Sequence, residues 1–197
     1  MKLYVGAVSG NSYKVKILLA VLKVPCEVVV LDLAAKAHKA PEHLKLNPRG
    51  EVPVLVDGDV VLWDSSACLA YIARKHGGEQ WFPSTDPGRQ AEVMQWLALA
   101  ASEIQFGLQY GRRGVLQGRW TAGTLEQSQA IAAVALKTLE GRLTGNHWLV
   151  GTQPTIADVA CFPYVETAEE GQVSLSPYPA VSGWLERCRA LPGWPGR

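Results

Sequence analysis

The stretch from Asn47 to Ser66 constrains the fold of this chain more than any other. It reads Asn47-Pro48-Arg49-Gly50-Glu51-Val52-Pro53-Val54-Leu55-Val56, then Asp57-Gly58-Asp59, then Val60-Val61-Leu62-Trp63, then Asp64-Ser65-Ser66. Two β-branched apolar runs around an Asp-Gly turn specify a hairpin. Pro53 leads the first run, and a proline there donates no ladder hydrogen bond and adopts the cis form more readily than other residues. The backbone of Val52 is therefore left to pair with something outside the sheet. Asp64-Ser65-Ser66 precedes the apolar run Ala67-Cys68-Leu69-Ala70-Tyr71-Ile72, which marks a helix start with outward-facing N–H groups. Such an end attracts a carboxylate, and Asp64 beside it suits an α-amino acid end, which carries both charges. Strand pairing at Val52 would hold an extended peptide.

Before this stretch, Lys2 to Val5 reads as a strand and Gly6 to Gly10 as a loop. Asn11 to Lys23 carries Val15, Leu18, Leu19 and Leu22 at helical spacing. Glu27 to Leu33 follows Pro25 as a β-branched run expected to be buried on both faces. Strand, helix and strand with this crossover imply a parallel pair. Pro41-Glu42-His43-Leu44 starts a short helix at a proline. Adding the hairpin and a helix from Ser66 to Lys75 gives the strand-helix-strand-helix-strand-strand-helix order of a thioredoxin-like domain, assigned to residues 1–78. The polar, proline-bearing stretch 79–87 is expected to be a linker. Residues 88–197 show spacings of three and four without strand alternation, so the fold class is α/β plus all-α, with a C-terminal helical bundle.

Within that bundle, Asp86-Pro87 opens a helix expected to run to about Gly111, and Thr124-Leu125-Glu126-Gln127 is read as the capping box of a second. Thr155-Ile156-Ala157-Asp158 is another capping box, which makes Asp158 a folding element rather than a catalytic acid. Pro163 is expected to kink or shorten the helix that follows, and Pro179 to Leu191 forms a last one.

Lys+Arg 19 against Asp+Glu 18, a net charge of +1, supplies no field to recruit nucleic acid or an acidic membrane. No apolar run approaches the roughly 20 residues of a membrane helix, and none of signal-peptide length follows Met1; a cytoplasmic protein is expected. Cys26, Cys68, Cys161 and Cys188 form no Cys-x-x-Cys pair, and His38, His43, His76 and His147 lack metal-ligand spacing. No metal and no dithiol redox chemistry are expected, and the cysteines are read as buried thiols.

Asn47 to Leu55 followed by Asp64-Ser65 resembles the glutathione site of the cytosolic glutathione transferases, in their serine-type, bacterial-like form. Ser9-Gly10-Asn11-Ser12-Tyr13-Lys14-Val15 and Thr155 to Asp158 are similar to that family as well. The resemblance implies an enzyme that adds the thiolate of glutathione, a co-substrate rather than a permanently bound cofactor, to a small electrophile. Peroxide or disulfide reduction through bound glutathione is a further implied activity, detoxification the implied role, and a homodimer the implied assembly. A non-catalytic binding or scaffold module of the same fold is the alternative.

By the same resemblance, Ser9 stabilises the sulfur, with Asn11 and Ser12 as alternatives; Tyr4 lies inside the strand. The Val52 backbone beside Pro53 holds the cysteinyl part, Asp64 and Ser65 the γ-glutamyl end, and His38 or Lys39 the glycine carboxylate. Glu51 departs from many relatives, which carry a cation or amide there, and Arg49 is another nearby cation. Phe106, Tyr110, Arg112 and Arg113, with Trp120 beyond, are candidates for the electrophile pocket.

Overall fold

The alternating apolar residues of Lys2–Gly6 (β1) place Leu3 and Val5 in a buried core, and the rest of the first unit is built around this strand. The chain, described by a computed structural model over residues 1–119 and 121–196, forms two units, Met1–Gly78 with Pro192–Arg197, and Glu79–Leu191. β1 pairs parallel with β2, Glu27–Leu31, and antiparallel with β3, Val54–Asp57. β3 turns at Gly58, whose φ of +60° suits a hairpin loop, into β4, Val60–Leu62. The order is β2-β1-β3-β4.

Helix α1, Gly10–Val21, crosses from β1 to β2, and α2, Pro41–Leu46, precedes the hairpin. Helix α3, Ser65–Ile72, packs against α1. This is the thioredoxin-like arrangement. β2, however, is an edge strand: Val28 is 45 % and Val30 62 % exposed. A β-branched run reports strand propensity, and without a neighbour on its outer side it is not buried on both faces.

After α3 the chain continues through a π-helical turn, Ala73–Gly77, into the short α4, Gly78–Trp81. The stretch read as a linker is thus partly helical. It is also internally bonded, because the Glu79 carboxylate accepts from the backbone N–H and the hydroxyl of both Ser84 and Thr85. At the other end, Pro192–Arg197 groups with the first unit instead of the helical one; the Tyr13 hydroxyl donates to the Pro195 carbonyl at 2.8 Å.

The second unit is helical: α5, Pro87–Ala101; α6, Tyr110–Gln117; α7, Ala122–Leu143; α8, Ile156–Glu166; and α9, Pro179–Arg189. The helix expected to run unbroken to Gly111 stops where Ser102 leaves helical geometry (φ −112°, ψ −98°), and Ile104–Gln109 resumes as a π-helical turn. The first capping box lies three residues earlier than expected. Thr121 is the N-cap and Thr124 the reciprocal partner, since a threonine serves at either end of such a box. Helix α8 continues past Pro163 to Glu166, and the Thr167 hydroxyl donates to the Pro163 carbonyl.

Asp158 is buried and accepts from the N–H groups of Leu149 (3.1 Å), Thr155 (2.9 Å) and Trp184 Nε1 (2.9 Å). It therefore ties the start of α8 to the preceding loop and to α9. Among the described residues, no helix is long and apolar enough to cross a membrane, and no group of three or more His, Cys, Asp or Glu residues could hold a metal ion.

Candidate functional site

The strand register gathers the sequence-predicted residues of the first unit. Tyr4 stands opposite Val54, and Leu55 opposite Leu62. Continuing each strand in the same direction leads to Gly6, to Pro53 and Val52, and to Asp64 and Ser65, so these three segments meet at one end of the sheet. Gly6 is the contact point: a Cβ there would stand 2.5 Å from Leu33 Cδ1 and 3.3 Å from Val52 Cγ2. A larger residue at this position would displace the Leu33 side chain and press on Val52.

The loop after β1 is ordered by its hydroxyls. The Ser9 N–H donates to the Gly6 carbonyl at 3.2 Å. Ser9 Oγ is the N-cap of α1 and accepts from the Ser12 N–H at 3.2 Å, which leaves its own hydrogen able to donate. Ser12 Oγ accepts from the Gly6 N–H at 3.2 Å, and the residue is only 1 % exposed. That bond makes Ser12 a link between β1 and α1. Ser9 and Asn11, the other two candidates, are half-buried and more accessible than Ser12.

The Val52–Pro53 peptide is cis. Among the described residues, neither backbone group of Val52 has a hydrogen-bond partner. The preceding turn is held from within: the Gly50 N–H donates to the Asn47 carbonyl at 2.8 Å, and Asn47 Oδ1 accepts from the Arg49 N–H at 3.0 Å. Gly50 has φ +57°, and a Cβ there would meet the His38 carbonyl at 2.9 Å and Lys39 Cδ at 2.8 Å, which brings His38 and Lys39 against this turn. Lys39 Nζ donates to the Arg49 carbonyl at 2.9 Å. Burial, and then the charges of Lys39 and His43, hold His38 below the ordinary histidine pKa. That shift favours the neutral ring, which makes Lys39 the better cation of the pair. Arg49 is engaged by Glu51 at 3.1 Å and lies over the Trp63 ring.

Asp64 is the N-cap of α3, with Oδ1 accepting from the Ala67 N–H at 3.0 Å, and Ser65 is buried beside it. The carboxylate is exposed, so it can meet an ammonium group while the first-turn N–H groups meet a carboxylate. In the second unit, Phe106 and Tyr110 are 48 % and 39 % exposed and pack edge to face, with centroids 5.2 Å apart. Arg113 is exposed, whereas Arg112 is committed to Glu170 at 2.5 Å. Trp120 lies outside the described residues.

Sequence reasoning placed Asn47 in the motif and His43 in a short helix but gave neither of them a role. His43 Nε2 and Asn47 Nδ2 each lie 2.9 Å from the Glu51 carbonyl oxygen, and both side chains are buried. The available signal was their spacing: polar residues four apart at the end of a short helix share a face.

None of the cysteines takes part. Burial raises the Cys26 thiol, pushes that of Cys68 up to about 12, and holds that of Cys188 well above the ordinary range.

Residues 1–74 match the family described as glutathione S-transferase, N-terminal domain, and residues 122–192 its C-terminal domain. The chain is 34 % identical to glutathione S-transferase 3 of Zea mays, over 98 % of this chain and 91 % of the relative. It is 28 % identical to the disulfide-bond oxidoreductase YfcG of Escherichia coli K12, over 94 % and 89 %. A glutathione S-transferase structure from Pseudomonas fluorescens superposes with a TM-score of 0.91 at 30 % identity, covering 99 % of this chain and 97 % of that one.

Proposed function

Since the chain belongs to the glutathione S-transferase family, we propose that it binds glutathione in its first unit and adds the thiolate to small electrophiles. The observation that carries this reading is the unpaired Val52 backbone beside cis-Pro53, adjoining the end of β1. An extended peptide laid along it pairs its cysteinyl backbone with Val52. Asp64 and the N-terminus of α3 then serve the γ-glutamyl ammonium and carboxylate, and Lys39 serves the glycine carboxylate.

A thiol of pKa about 8.5 is only a few per cent ionised at pH 7, and lowering it by about two units takes roughly 2.7 kcal/mol. A hydrogen bond donated by the Ser9 hydroxyl, with the positive end of α1, supplies energy of that order. The thiolate attacks the electrophilic carbon, and a carbon–sulfur bond forms as a leaving group departs or as the adduct takes up a proton. Phe106, Tyr110 and Arg113 are the proposed electrophile contacts.

Reduction of disulfides through bound glutathione is a second reading, supported by the relative named a disulfide-bond oxidoreductase. No cysteine stands in the Ser9–Ser12 loop, so the reducing sulfur would be that of glutathione. Assay of the purified protein with a model electrophile and, separately, with a mixed disulfide tests both. Glutathione-dependent turnover of the electrophile supports conjugation, turnover of the disulfide alone supports the second reading, and turnover of neither refutes both. The protein is further read as a homodimer that pairs through α3 and α5.

A further inference from the structure

We propose that His43 and Asn47 form a positioning clamp that aims the Val52 N–H at glutathione; the inference rests on the glutathione reading above. Both side chains reach one atom, the Glu51 carbonyl oxygen, at 2.9 Å each. A carbonyl oxygen only accepts, so His43 carries its hydrogen on Nε2 and Asn47 presents its amide nitrogen. Two donors therefore converge on that one oxygen.

The consequence lies in the next bond of the chain. The Glu51 carbonyl and the Val52 N–H belong to the same planar trans peptide unit and point in opposite directions. Fixing the oxygen from the inside therefore fixes the N–H toward the outside, where neither backbone group of Val52 has a partner among the described residues.

The clamp is itself held. Asn47 is fully buried, and its Oδ1 accepts from the Arg49 N–H at 3.0 Å. The His43 ring is 5 % exposed and stands edge-on to Tyr4, with centroids 6.1 Å apart. Neither residue is placed to touch the tripeptide, so both act on binding through the backbone of Val52. Their loss would let the peptide plane rotate and would weaken the hydrogen bond to the cysteinyl carbonyl without altering the surroundings of the sulfur.

The test compares His43→Phe, His43→Gln and Asn47→Asp with the parent protein. Each is measured by calorimetric titration with glutathione, steady-state kinetics with glutathione varied, the ultraviolet thiolate titration of the bound tripeptide, and the melting temperature. Asn47→Asp keeps the acceptor for the Arg49 N–H and loses the donor to Glu51, so it carries the test alone if His43→Phe fails to fold.

His43→Phe and Asn47→Asp are each expected to weaken glutathione binding and raise its KM about tenfold, the scale of one hydrogen bond to an organised site. The kcat and the thiolate titration stay near their parent values. His43→Gln, whose amide nitrogen takes the place of Nε2, recovers most of the affinity. Parent-like affinity in Asn47→Asp, or a loss that falls on kcat and the thiolate titration, would overturn the clamp. So would His43→Gln binding as weakly as His43→Phe at equal melting temperature, since packing alone would then explain the loss. A parent protein that does not bind glutathione sinks the functional reading instead.

Discussion

Ser9 is assigned two duties by one hydroxyl, and they can be separated by measurement. As N-cap of α1 it accepts from the Ser12 N–H at 3.2 Å. In the proposed role as thiolate partner it would donate its hydrogen to the sulfur. Replacing an N-cap serine by alanine costs about 1 kcal/mol of stability, whereas glycine at the same position costs only a few tenths. A hydrogen bond to a charged atom is worth about 1.5 to 3 kcal/mol, or about one to two units of thiol pKa and a roughly 10- to 100-fold change in rate. Ser9→Ala and Ser9→Gly should therefore differ in melting temperature yet agree in chemistry: each raises the pKa of bound glutathione by the same amount and slows conjugation equally. The sign is fixed by which form is stabilised, because losing a donor to the thiolate favours the protonated thiol. Ser12→Ala is the control. It strips the buried Gly6 N–H of its acceptor, costs about 1 to 3 kcal/mol of stability, and leaves the thiolate titration alone. The assay is the ultraviolet thiolate band followed against pH, paired with thermal unfolding. If both Ser9 variants titrate as the parent does while Asn11→Ala moves the curve upward, the role belongs to Asn11.

Asp64→Asn keeps a side chain that caps α3 and removes its charge, so glutathione binding should weaken by about 1 to 3 kcal/mol with the melting temperature little changed; unchanged affinity in calorimetric titration would remove the γ-glutamyl assignment. Asp158→Ala leaves three buried N–H donors without their acceptor, at about 1 to 3 kcal/mol each. The expected loss is in folding yield and unfolding midpoint, and a variant of ordinary melting temperature without turnover would make Asp158 catalytic instead. Sedimentation at micromolar concentration should show a dimer, and a monomer alone would refute pairing through α3 and α5.

What the sequence made legible is what rests on local chemistry. The hairpin and the caps at Asp64, Asp86 and Thr155 all follow from residues within a few positions of one another. What it hid depends on neighbours distant along the chain. Val28 and Val30 have the composition of a central strand, and only the sheet order places them at an edge. Ser9 and Ser12 are both hydroxyls in one loop, and only the fold shows that Ser12 is buried on the Gly6 N–H while Ser9 is half-buried. The break at Ser102 falls within a run of good helix formers, where spacing gives no warning.

The same distinction explains why Asn47 could be read as part of a pattern while its action could not. The spacing of His43 and Asn47 along the chain says that they share a face, but the atom they grip is a backbone carbonyl, which every residue carries and no sequence distinguishes. Once that carbonyl is identified as Glu51, peptide planarity carries the effect one residue further, to the N–H of Val52. The cis-Pro53 that follows has no N–H of its own, so Val52 supplies the donor where β3 is about to begin. On the other side, Gly6 at the end of β1 lies close to Val52, and Ser12 and Ser9 are bonded to Gly6 through its N–H and its carbonyl. The backbone donor of Val52 and the residue Ser9 thus both adjoin one glycine, which is the arrangement the proposed pairing of a tripeptide with the first and its sulfur with the second requires.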